Sequence, residues 1–143
     1  MTSLMYAFQT ALLPGVIAGL LCIFTSWLWM GVIFHRFQKR TPDSWRIENN
    51  LSYILSSAIH VLACIAIATL YRLVSPGSDA FFVPGIVGAM RFGALIWMAI
   101  AAPLAIDAGV FVKLHPWVIV GQLLDWLTTS LVACVITAIW IAR

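Results

Sequence analysis

The chain has 143 residues, 63% of them hydrophobic and only 9% charged, with a net charge of +3 and a mean hydropathy of +1.03. A soluble domain carries roughly 25% charged residues. At about 20 residues per membrane crossing, four spans use nearly the whole length, which excludes a large soluble core or a separate extramembrane catalytic domain.

The composition therefore predicts an all-α fold, a single integral membrane four-helix bundle with spans at about 12–34, 51–74, 82–105 and 117–141. The N-terminal MTSLMYAFQT lacks the basic n-region of a cleaved signal peptide, so the first apolar segment is expected to remain as a helix.

The first predicted span, Leu12 to Phe34, ends in the basic run His35-Arg36-Phe37-Gln38-Lys39-Arg40. Pro14 sits near its start, where the first turn of a helix has no intrahelical bonds to lose. Gly15 and Gly19 form a small-residue step that admits another backbone, and Cys22 and Ser26 continue that face. Trp27 and Trp29 fall near the interface at the end of the span. Thr41-Pro42-Asp43 reads as a helix start, and the amphipathic piece Asp43 to Asn50 is expected at the membrane surface.

Along the second span Tyr53, Ser56, Ser57, His60 and Cys64 form a polar stripe at helical spacing, expected to face protein rather than lipid. Ser75-Pro76-Gly77-Ser78-Asp79 is a turn signal. In the third span Gly85, Ala89 and Gly93 recur every four residues, a ridge without bulk for helix contact. Arg91 projects from nearly the opposite side. Pro103 should bend the far end of this span, because it removes one backbone hydrogen bond. The fourth span has Gln122, Asp125, Thr129, Ala133 and Thr137 on one face, with Trp117 and Trp140 near its ends.

The first loop carries Arg36, Lys39, Arg40 and Arg46, and the third carries Lys113. Arg72 and Arg143 are the basic residues of the opposite side. The positive-inside rule then puts both termini outside the cytoplasm. Counted from Phe82, Arg91 lies ~13 Å below the outer surface, while Asp125 and His60 lie ~12 and ~13 Å up from the inner one. All three come out near mid-membrane.

A charge at that depth costs at least ~2.5–3.5 kcal/mol on insertion scales. Arg91 with Asp125 is the economical pairing, and it reads either as a neutralised pair that fixes helix neighbours or as an ion or proton site. His60 reads as a hydrogen-bonded packing histidine, or as a proton relay or a haem or metal ligand, its lone midplane position arguing against bis-histidine haem within one chain. His35 and His115 share the cytoplasmic side without a carboxylate or thiolate spaced to complete a metal site. Cys22, Cys64 and Cys134 are widely separated in apolar segments and read as small packing residues.

No phosphate-binding glycine loop, HExxH pattern or activated nucleophile is present, so no catalytic residue, metal or cofactor is assigned. The expected partners are the bilayer and a second copy or a larger membrane complex, not nucleic acid. Three function classes stay open: a structural or accessory subunit, a small transporter or channel built on Arg91, Asp125 and His60, and a lipid-modifying or redox enzyme.

GVIAGLLCIFTSWLWMGVIFHRF, a short polar stretch with Trp45, and an early Tyr53 in the second span together resemble a family of small bacterial membrane proteins. It is the domain of unknown function seventeen-sixty-one family. The resemblance covers nearly the whole chain and implies a four-helix protein of a bacterial inner membrane, though Trp29-Met30 stands where that pattern has a tryptophan-tyrosine step. It implies no site residues.

Overall fold

The structure, a computed structural model, describes residues 3–40, 43, 49–74 and 85–142. Helix α1 (Ser3–Ser26) runs into π-helical turns at Trp27–Ile33 and is followed by the short α2 (His35–Gln38). Helix α3 covers Asn50–Val74. Helix α4 (Ile86–Ile96) continues through a second π-helical stretch, Trp97–Ala101, into α5 (Ala102–Phe111), and α6 covers Pro116–Ile141.

Four of these runs, Ser3–Ile33, Asn50–Val74, Ile86–Phe111 and Pro116–Ile141, are long and apolar enough to cross a bilayer. The fold is the expected all-α four-helix bundle. The second and fourth spans match their predicted limits within a residue. The first starts nine residues early, so Pro14 lies inside the helix and is fully buried there. The third begins at Ile86 and extends to Phe111, later at both ends than counted. The expected surface piece Asp43 to Asn50, apart from Asp43, Asn49 and Asn50, and the expected turn Ser75 to Asp79 lie outside the described residues.

Small residues set the packing. A Cβ on Gly15 would stand 2.7 Å from the Ile65 Cα, and one on Gly19 2.6 Å from the Val61 Cα, so the α1 and α3 backbones are in direct contact. Without a hydrophobic drive between helices in lipid, such close approach is what gives dispersion its strength. Ala18, Cys22, Cys64, Ala89, Ala133 and Cys134 are fully buried in the core between the spans, and the three cysteines are free thiols used as packing residues. Helix α6 is the hub of the bundle: it touches α1, α3 and α4.

Gly93 of the predicted ridge packs on α6, where an added Cβ would meet the Ser130 carbonyl at 2.8 Å, and Ala89 beside it is fully buried. Gly85 does not join them. No described residue lies within 4 Å of its Cβ position, and its φ of +91° is a backbone conformation that side chains disfavour. Its value is in the backbone conformation at the start of α4, with no helix contact among the described residues.

The polar stripe of the second span divides in the same way. His60 and Cys64 are buried, whereas Tyr53 and Ser56 are exposed. At Pro103 the helix is accommodated by the π-helical turn that ends two residues earlier, where the hydrogen-bond ladder is already shifted.

The ends of the bundle are marked by rings and charges. At one end Phe34 and Phe37 stack with Trp117 at 6.4 and 6.1 Å, His115 stacks on Phe37 at 5.0 Å, and the guanidinium groups of Arg36 and Arg40 lie over the Phe37 ring. At the other end Arg72 donates from Nε to the Thr10 hydroxyl at 3.1 Å and lies over the Tyr6 ring.

Candidate functional site

The buried polar group of the bundle is built on Asp125, the tenth residue of the 26-residue α6. Asp125 and His60 are each only 5% exposed. His60 Nε2 lies 3.3 Å from Asp125 Oδ2, and the Ser26 hydroxyl donates to the same Oδ2 at 3.0 Å. Three spans thus meet at one carboxyl oxygen: α1 through Ser26, α3 through His60 and α6 through Asp125.

Each partner is held from behind. His60 Nδ1 is 2.9 Å from the Ser56 carbonyl oxygen, one turn back on α3. The imidazole lies flat on the Trp126 indole, with centroids 5.4 Å apart and planes at 9°. Ser26 is the last α-helical residue before the first span loosens into π-helical turns. From those turns Trp29 Nε1 donates to Thr128 Oγ1 at 3.2 Å, and from the π-helical stretch of the third span Trp97 Nε1 donates to the Leu123 carbonyl at 2.9 Å. Both indoles anchor α6 next to Asp125. A π-helical turn leaves carbonyls without their usual partners and re-aims side chains, which is why such turns recur at functional positions.

Among the described residues two buried oxygens here have no hydrogen-bond partner: Asp125 Oδ1 and, one turn further along α6, Thr129 Oγ1. The thiol of Cys22 lies beside Thr129 and Cys64. The neighbourhood of Asp125 thus contains carboxyl, imidazole, hydroxyl and thiol groups, and among the described residues no arginine or lysine pairs with it.

Arg91 is not its partner. It is exposed on the outer surface of the bundle and makes no ion pair or hydrogen bond with another described residue. Two facts separate it from Asp125. The described helix starts at Ile86, so Arg91 stands only five residues in, ~7.5 Å of rise instead of ~13 Å. And because Gly93 faces Ser130 and Leu131 across the antiparallel α4–α6 contact, Arg91 is level with about residue 132, ~10 Å along the axis from Asp125. The ridge that includes Ala89 and Gly93 takes the inner face, so the opposite side, with Arg91, turns outward. At that height an arginine side chain reaches the polar interface by extension.

The remaining histidines have local roles. His35 Nδ1 is 3.1 Å from Gln38 Oε1. His115 caps α6 by accepting from the Trp117 amide at 3.3 Å. Among the described residues no three histidine, cysteine or acidic side chains are grouped as metal ligands.

Ser26 and Trp126 are the members that sequence reasoning left out of the site. Ser26 was legible: it follows Gly15, Gly19 and Cys22 on one helix face and is that face's hydroxyl. Trp126 had no such signal, since its contact with His60 depends on how α3 and α6 cross. Compared with protein-family models, with curated proteins and with solved structures, the chain has no match.

Proposed function

We propose that this small multi-pass membrane protein is a structural or accessory subunit, its spans fastened by the Ser26–His60–Asp125 cluster. The supporting observation is that one carboxyl oxygen collects a group from each of two other spans while remaining closed. The apolar groove of about 350 Å³ lined by Ile17, Ile136, Ile139 and Trp140 includes none of the three. An accessory role also accounts for the outward face of the third span. There Met98, Leu104, Val110 and Phe111 are 63–81% exposed, a surface for lipid or for a neighbouring subunit.

Native mass spectrometry of the protein released from mild detergent tests the role. A second copy or a stoichiometric partner is expected, and a lone monomer under every mild condition would defeat it.

The transporter reading keeps one specific support, the unpartnered Asp125 Oδ1 and Thr129 Oγ1 inside the membrane region. Arg91 drops out of it. Flux of protons or sodium into liposomes that contain the protein, abolished by Asp125→Asn, would favour this second reading over the first.

A further inference from the structure

The hydrogen bonds around His60 fix more than its position. A carbonyl oxygen only accepts, so the 2.9 Å contact between His60 Nδ1 and the Ser56 carbonyl requires the ring hydrogen on Nδ1. In a neutral imidazole with Nδ1–H, Nε2 is a bare acceptor. Yet Nε2 faces Asp125 Oδ2 at 3.3 Å, and an ionised carboxylate is also acceptor-only. Two lone pairs pointing at one another in a buried site would repel, and the carboxylate would carry an uncompensated charge in a low dielectric.

One added proton removes both difficulties. It rests on Nε2, giving imidazolium and carboxylate, or on Oδ2, giving neutral imidazole and carboxylic acid. Either way the pair is neutral overall and the contact becomes a hydrogen bond.

We propose that His60 and Asp125 together form an intramembrane proton-binding site that holds one proton between Nε2 and Oδ2. This goes beyond the accessory role and does not depend on it. The transfer within the site is balanced: the N–H bond breaks as the O–H bond forms, and no other reactant is needed.

Two features pull the proton in opposite directions, so neither atom owns it outright. The Trp126 indole stacked on the ring favours the imidazolium, as a cation over an aromatic face. The unpartnered Asp125 Oδ1 favours the acid, because an unsatisfied neutral carbonyl oxygen costs less than an unsatisfied oxygen that shares a carboxylate's charge. Among the described residues the other titratable group facing the pair is the Cys22 thiol of α1, which itself lies beside Cys64 of α3. The ionisable groups of the third span, Arg91 and Asp107, are both exposed.

The test uses the full-length protein in lipid nanodiscs with nitrogen-15-labelled histidine. The variant His35→Gln/His115→Gln leaves His60 as the single histidine, and neither replaced residue belongs to the site. The expected spectrum has Nδ1 protonated and Nε2 either protonated or shifted as the acceptor of a strong hydrogen bond.

Infrared difference spectra against Asp125→Asn supply the second readout. They should show a protonated carboxyl stretch if Nε2 is the acceptor, or a carboxylate band if the ring is an imidazolium. A neutral ring bearing its hydrogen on Nε2 with Nδ1 bare would overturn the proposal. So would a neutral ring together with a carboxylate band, since the pair would then hold no extra proton. If Asp125→Asn does not fold, the wild-type ring signals decide alone.

Discussion

Asp125 and His60 carry the sharpest residue-level consequences. Removing one partner of a buried polar pair leaves the other without compensation, at a cost of about 3–5 kcal/mol in soluble proteins, whereas removing both is often nearly neutral. Asp125→Leu and His60→Leu should therefore each lower the unfolding midpoint, and the double variant should be better folded than either, by thermal unfolding in nanodiscs. Asp125→Asn should keep most of the stability, because its amide N–H can donate to Nε2 in place of the shared proton. Arg91 gives the contrasting case. Being exposed and without a described partner, it should contribute within about 0.5 kcal/mol. Arg91→Leu combined with Asp125→Leu should be additive within about 0.3–0.5 kcal/mol, as for independent sites. A coupling well above that value would show that the two side chains meet after all.

The glycines of the helices act for different reasons, and substitution should separate them. At Gly19 the obstacle to a side chain is the Val61 Cα, part of a backbone that cannot turn aside. Gly19→Ala should force α1 and α3 apart at a cost of about 1–3 kcal/mol, the usual range for overpacking, and Gly19→Leu should do worse. Gly85 meets no described residue but has a φ of +91°. Gly85→Ala and Gly85→Leu should therefore be equally and modestly unfavourable, about 1–2 kcal/mol, with no dependence on side-chain size. A steep dependence on size at Gly85, read by thermal unfolding of the two variants, would mean that something packs there. The π-helical stretches at Trp27–Ile33 and Trp97–Ala101 belong to this scale as well. Each delivers an indole to α6 near Asp125, so Trp97→Phe should loosen α6 where its carbonyl loses a donor.

For the whole molecule, the distribution of basic residues sets the expected orientation. Arg36, Lys39 and Arg40 gather at the end where Phe34, Phe37 and Trp117 stack, and Arg72 marks the other. With the first end cytoplasmic, an impermeant thiol reagent added outside should label a cysteine placed within Ser75 to Asp79. It should not label one placed within Lys39 to Ser44. The three native cysteines, all fully buried, are poor competitors for the reagent. The reverse labelling pattern would overturn the orientation and leave the bundle itself untouched.

The amino-acid sequence by itself determined the fold class, the number of spans, two of the four spans' limits and part of the faces that pack. Those follow from local quantities: apolar length, helical spacing and the size of side chains along one face. Gly15, Gly19, Ala89 and Gly93 were readable because small residues in lipid-embedded helices have little other use. Asp125 and His60 were readable as buried polar groups for the same reason. Their pairing was not. Depth counted from an assumed helix start carries an error of several residues, and four residues at the start of the third span were enough to bring Arg91 and Asp125 falsely level. Which of three polar side chains meet depends on how the helices cross and rotate, and the tertiary structure decided it. The α1–α3 contact and the central place of α6 bring Ser26 and His60 to Asp125, while packing of the Ala89 and Gly93 face turns Arg91 outward.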